Sequence, residues 1–460
     1  MSRKKSESLV TDFTSGSVSR QLIVFSAPLL LSNLLQVVYN MVDMAVVGQA
    51  VGKLGLSAVS VGGDVSQFLT FLAIGFSGAG QVIISQYIGA GRQKEVGRFV
   101  GTMFHFLILC ALILSAVCLF FRQPILRLMN TPDEAWAQAM DYATVCMVGL
   151  VFIYGYNLAS AVLRGMGDSK HPFLFISIAA GLNIVLDLIL VMGFGMGAFG
   201  AAVATVISQA VSFLCCMFFL WRSRDRLGFQ IHMRDFLRMD LPMLRSLVAL
   251  GVPMAVKNGA VQFSKLFVNS WINGFGVEVS AVAGIANKLN NISILVSSAV
   301  NTAGASMVGQ NIGAEKYDRV PKVMRTAFLI TLTMSAAMSV ALLVFPEQIF
   351  GIFTNEADVM SVAMEYLPVS VLIFFGSACR APMNAFINGS GNYKINFLCA
   401  ILDGLILRVG LALLLGVGAG LGYVGFWLGD ALAGYTPLWM GFIYYATGRW
   451  KTRKYVLKVK

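Results

Sequence analysis

The chain repeats itself once. Leu-Arg-Gly-Met-Gly-Asp-Ser-Lys at 163–170 returns as Ile-Asn-Gly-Ser-Gly-Asn-Tyr-Lys at 387–394, an offset of 224 residues. The same offset relates Asp141-Tyr142 to Glu365-Tyr366, Phe121 to Phe345 and Gln86 to Gln310, while Pro28 and Pro253 differ by 225. A polypeptide of two matching halves folds as two lobes related by a pseudo-symmetry axis.

The material of each half narrows the choice further. Of the 460 residues 57% are hydrophobic and 12% charged. Apolar stretches of about 20 residues recur, each long enough to cross a bilayer. They place spans near 21–47, 56–84, 99–121, 137–162, 172–194 and 199–221, then 246–272, 279–309, 323–345, 360–387, 395–417 and 422–447. The expected fold is an all-α integral membrane protein with 12 transmembrane helices, arranged as two six-helix bundles around a central cleft. Six spans per half bring each half back to the side it started from, so the repeats are parallel. The expected organisation is a cytoplasmic tail at 1–20, an N-lobe at 21–221, a cytoplasmic linker at 222–245, a C-lobe at 246–447 and a basic cytoplasmic tail at 448–460. The first apolar run is long enough to span and follows a polar start, so it reads as a span and not as a cleaved leader.

The net charge of +12 is a topology signal. With the N-terminus inside, the inner segments hold 26 of the 34 Lys and Arg, and the outer loops hold Lys53, Arg122 and Arg127. Both termini are therefore expected on the cytoplasmic side of the plasma (inner) membrane. This distribution argues for membrane lipid as the partner and against nucleic acid. The seven Cys lie in apolar segments without CxxC or metal-ligand spacing, so they read as packing residues. Glycine clusters at 193–200 and 416–422 join membrane helices, which makes them tight outer turns and not dinucleotide loops. His105, His171 and His232 are dispersed, and no HExxH or nucleophile–base pair is present, so the chain is not expected to be an enzyme.

Ten ionisable residues fall inside the spans: Asp43, Asp64, Asp187, Lys257, Lys265, Lys288, Arg380, Asp403, Arg408 and Asp430. Facing lipid, they would together cost on the order of 25–35 kcal/mol, so they must face a cavity or pair with one another. Their placement is asymmetric: the first half contributes only acids and the second all five bases. Ser32, Gln36, Tyr39 and Asp43 follow helical spacing on one face of the first span, as Asn183 and Asp187 do on the fifth. Asn157 and Thr205 add polar groups on the fourth and sixth. Two carboxylates with amides and hydroxyls in a low-dielectric lobe suit one exchangeable cation, a shared proton or a small ion such as Na⁺ bound by oxygens. Asp64 reads as structural. In the second half Asn258, Gln262, Lys265 and Asn269 repeat the stripe on the seventh span, and Ser377, Arg380, Asn384 and Asn388 form another on the tenth. This lobe reads as wet, amide-rich and basic. Lys257, Lys265, Arg380, Gln262 and Asn384 are its candidates for substrate contact, with internal pairing as the alternative, above all for Arg408 with Asp403 or Asp430. Pro28 and Pro253 each free a carbonyl in the first span of a half, giving a static bend or a hinge.

These residues resemble the MATE (multidrug and toxic compound extrusion) transporters over about 20–450, with the archaeal and DinF-type branch most similar. The resemblance rests on Pro28 with Tyr39-Asn40-Met-Val-Asp43, on Val-Gly-Gln-Asn-Ile-Gly-Ala at 308–314 echoing Ile-Ser-Gln-Tyr-Ile-Gly-Ala at 84–90, on the 163–170 motif, and on Asn183 with Asp187. It implies export of organic cations or other amphipathic compounds in exchange for H⁺ or Na⁺, by a monomer that needs no cofactor. It also implies an N-lobe cation site at Tyr39, Asp43, Asn157, Asn183, Asp187 and Thr205, and a first-span proline at Pro28. Lys257, Lys265 and Arg380 stand where another branch of the family carries C-lobe acids. A flippase for a lipid-linked anionic precursor, holding phosphates in the basic lobe, is the competing expectation.

Overall fold

A computed structural model describes residues 9–223, 226–227, 235, 238–452, 454 and 456. The rest of the expected tails and linker (1–8, 224–225, 228–234, 236–237, 453, 455 and 457–460) lies outside the described residues, as does His232.

The described chain is helical, with no strand among those residues. Its twelve spans are Val18–Val51, Lys53–Gly89, Gln93–Phe120, the pair Trp136–Val148 and Leu150–Gly165, Lys170–Gly193 and Gly197–Arg222, followed by Leu241–Asn273, Val277–Gly313, Val320–Val344, Ala357–Gly389, Tyr393–Gly418 and the pair Gly422–Ala433 and Thr436–Ala446. The fourth span bends by 47° at its break. Gly149 at that break meets the sixth span so closely that a Cβ would sit 2.3 Å from Val206. Outward faces are apolar and unpartnered, as at Leu112, Leu214, Leu329 and Val340, which is what lipid requires.

The chain divides into two compact units, Met1–Asp12 with Ala27–Gly251 and Phe13–Ser26 with Val252–Lys460. The lobe boundaries expected from sequence differ from this division at two places. Gln21–Ser26 belong to the second unit and 246–251 to the first. The physical reason is helix continuity: the first and seventh spans run unbroken through the change of unit, and in each the change falls just before the proline.

Within each unit the packing repeats. In the first, the second span lies against the third and fourth, the fourth against the third and sixth, and the fifth against the sixth. In the second, the eighth lies against the ninth and tenth, the tenth against the ninth and twelfth, and the eleventh against the twelfth. The repeated motif records this packing. A Cβ on Gly165 would sit 2.9 Å from the Gln81 carbonyl, and one on Gly389 would sit 2.8 Å from the Ala305 carbonyl, so both glycines set a helix crossing. Gly167 and Gly391 turn the chain at φ +86° and +71°, where side chains are disfavoured. Asp168 then accepts from the Lys170 and His171 amides at 3.1 and 3.2 Å, and Asn392 from the Lys394 and Ile395 amides at 3.1 and 3.4 Å. Each thereby caps the next span. Gln310 of the other echoed motif is also structural: its Oε1 accepts from the Phe13 amide at 3.0 Å, and Asn311 Nδ2 donates to the Phe13 carbonyl at 3.2 Å.

Candidate functional site

In the first unit the first and fifth spans bring Asp43 and Asp187 into direct interaction. Asp43 is 7% exposed, Asn183 3% and Asp187 0%. Both Asp187 oxygens, Asp43 Oδ1 and both polar atoms of the Asn183 amide are buried without a hydrogen-bond partner among the described residues. Neither acid forms a salt bridge to a described base. Asp187 ends the α-helical part of its span, and the next residues, Leu188–Gly193, form a π-helical turn. Such turns interrupt the backbone ladder and recur at functional positions.

Tyr39 and Tyr142 complete the cluster. Tyr39 lies in electrostatic range of Asp43, and Tyr142 in range of Asp43, Asp187 and Tyr39. Tyr142 was not among the expected site residues. The Cys146 thiol, one turn on, interacts with Ser66 and Tyr142. Two other expected members are less engaged. Asn157 donates its amide to its own helix, at the Ile153 carbonyl (2.8 Å), and neither it nor Thr205 hydrogen-bonds to the acids among the described residues. Asp64 is exposed. The repeat held the signal for Tyr142: its partner Tyr366 accepts from Asn290 at 3.2 Å and lines the cavity of the second unit.

That cavity encloses about 410 Å³. Gln262, Lys265, Arg380 and Asn384 line it, as do Arg408 and Asp430. Lys257 does not. It is buried behind Asn384 and donates to that side chain's Oδ1. Arg380 proves to be an ion-pair residue as well as a wall residue, because its Nη2 donates to Asp403 Oδ1 at 2.7 Å. The same oxygen accepts from Arg408 Nη2 at 3.0 Å, and Arg408 Nη1 donates to Asp430 Oδ1. Arg408 is thus paired with both candidate acids. Lys288 is exposed and lies over the Phe353 ring at 5.6 Å. Asp403 sits in a second π-helical turn, Leu402–Ile406, which has no counterpart at the repeat-related 178–182. The third such turn, Leu414–Gly418, overlaps the repeat of Leu188–Gly193.

Duplicated six-helix units that bury most of their in-span ionisable groups define a class, membrane transporters built from repeats. The particular family follows from comparison. The MatE family model matches residues 28–189 and 253–414, once in each half. The chain is 30% identical over 446 residues to Probable multidrug resistance protein YoeA of Bacillus subtilis (strain 168), covering 95% of this chain and 96% of that protein. It is 24% identical to Probable multidrug resistance protein NorM of Thermotoga maritima, covering 95% and 94%. Among solved structures, a MOP superfamily transporter from Pyrococcus furiosus superposes with a TM-score of 0.88 at 23% identity, covering 98% of this chain and 100% of that one. The chain belongs to the MATE family.

Proposed function

We propose that this transporter is a secondary active antiporter that exports small amphipathic compounds in exchange for H⁺ or Na⁺ by alternating access. It acts as a monomer in the plasma (inner) membrane with both termini cytoplasmic. The observation that carries the reading is the pair Asp43 and Asp187, two carboxyl groups buried side by side with no donor and no base among the described residues. Two such groups do not hold two negative charges at membrane depth without a cation. The residues fit either ion. Asp43 and Asp187 supply two carboxylates that share one proton, and with the Asn183 carbonyl and a tyrosine oxygen they supply the hard oxygen ligands that Na⁺ takes.

In this reading Asp43 and Asp187 load an ion from outside and release it inside. Loading changes the preferred form of the first span, and substrate is held more weakly in that form and leaves outward. One charge moved through 100 mV supplies about 2.3 kcal/mol, enough for roughly a 50-fold substrate gradient at one-to-one coupling. The test is transport in reconstituted vesicles, with fluorescent cations and anions offered under separately imposed H⁺ and Na⁺ gradients. Flux driven by one of the two gradients supports the reading and names the ion. Flux indifferent to both refutes coupling, and movement of lipid-linked substrates alone makes the protein a flippase.

Pro28 and Pro253 serve as the hinges. Each sits where a continuous helix passes from one unit to the other, and each leaves a carbonyl one turn earlier without its amide partner. Pro28→Ala restores that hydrogen bond, so it is expected to slow gradient-driven flux about tenfold while equilibrium substrate binding changes less than about twofold, an asymmetry expected of a gating residue. Equal flux in Pro28→Ala and the parent protein would make the proline a static bend.

A further inference from the structure

The charges of the second unit leave a remainder. Arg380 and Arg408 are held by Asp403 and Asp430, two bases against two acids. Lys265 lines the same cavity and makes no hydrogen bond or salt bridge with a described residue. Behind the wall, Lys257 donates to the Asn384 side chain and interacts with the Cys399 thiol, with no salt bridge to a described acid. The cavity therefore carries an excess of positive charge, presented at Lys265.

Position sharpens the point. With the polar stripes of the first and seventh spans matched, Tyr39 corresponds to Lys265 and Asp43 to Asn269, and Asn269 also lines the cavity. The matched face thus offers a carboxylate in the first unit and, in the second, an amide one turn from an ammonium that has Asp430 in electrostatic range but no hydrogen bond or salt bridge with a described residue. The remaining walls are of two kinds. Amides and hydroxyls such as Asn287, Asn291 and Ser298 can donate to anionic oxygens, while Trp427, Ile294 and Ile373 give an apolar face.

We propose that this cavity binds an amphipathic organic anion, with Lys265 reading a single carboxylate or phosphate-type group and the aromatic wall taking its apolar body. The inference rests on the transporter reading above, and it assigns Lys265 as the residue that sets substrate charge. The anionic group can arrive on a soluble compound or on a lipid headgroup, and the same chemistry receives both.

The test uses the full chain in phosphatidylcholine nanodiscs and two probes that share a fluorophore, dansylglycine (anionic) and dansylcadaverine (cationic). Dansylglycine is expected to bind at least tenfold more tightly. Lys265→Met should weaken it roughly 10–100-fold, the usual loss of a hydrogen-bonded charge partner, and leave dansylcadaverine unchanged or tighter. Lys265→Arg should keep the preference. Equal weakening of both probes would make Lys265 structural, and either that result or an unchanged dansylglycine affinity would overturn the proposal. Adding phosphatidylglycerol separates the sources: competition in the parent protein that disappears in Lys265→Met assigns the site to a headgroup, and absence of competition assigns it to the soluble anion. Binding in nanodiscs is read at equilibrium with no H⁺ or Na⁺ gradient, so a failure of coupled flux in vesicles and a failure of this site are separate results.

Discussion

Asp43→Asn is expected to reduce gradient-driven efflux to the level of protein-free vesicles while the protein still folds. The amide has nearly the volume of the carboxyl, so packing around the first and fifth spans is kept. It removes the one property that two adjacent carboxylates provide, the capacity to hold and release a cation. Asp187 then stands alone, a single buried carboxyl group without the partner that helps it hold an ion. Stability should be equal or higher, because a like-charge partner has been removed from a buried pair. Thermal unfolding in detergent is the measurement, and a lower midpoint would show that the pair holds the bundle together instead of holding an ion. Asp187→Asn should behave alike. Asp64→Asn, on the second span, should leave flux within about twofold, since Asp64 lies outside the Asp43–Asp187 cluster. Unaltered flux in Asp43→Asn would remove the coupling site from the first unit.

The frame of this molecule is legible in the chain because backbone requirements leave compositional marks. Apolar length gives the spans, the 224-residue offset gives the duplicated packing, and Gly165, Gly167 and Asp168 are a crossing, a turn and a cap written within four letters. The acids of the first unit are legible for the same reason, since a charge in an apolar helix stands out. Three features are not. Tyr142 is marked in the sequence only as the echo of Tyr366, and it takes tertiary placement to bring it near Asp43 and Asp187. The π-helical turns at 188–193 and 402–406 are slips in a hydrogen-bond ladder, which no residue type announces. Lys257, Lys265 and Arg380 look alike in sequence, and which of them owns a carboxylate depends on where the eleventh span places Asp403.

That placement carries the second large effect. Arg408 is 2% exposed and is the bridge between Asp403, fully buried, and Asp430. Arg408→Ala removes the cation and leaves both carboxylates, a change that typically costs about 3–5 kcal/mol when a buried pair is broken from one side. Asp403 keeps Arg380 as an ion-pair partner, whereas Asp430 keeps only the longer-range attraction of Lys265 and Arg380, with no other salt bridge among the described residues. The loss should therefore fall mainly on Asp430, and adding Asp430→Asn to Arg408→Ala should recover more than half of it. The readout is a double-mutant cycle on thermal stability in detergent, where a non-additive recovery above about 1 kcal/mol is the signature of a shared charge. Additive losses would mean that Arg408 acts by packing alone. The backbone supports the charge account: the seventh span meets the Asp403 turn at Gly404, where a Cβ would sit 2.6 Å from Ala260 and where Ser264 donates to the carbonyl. Ser264 is the neighbour of Lys265. The turn that fixes Asp403 between two arginines is thereby fastened to the helix that presents the unpaired lysine, so loosening the network by Arg408→Ala should also blunt the charge preference set at Lys265.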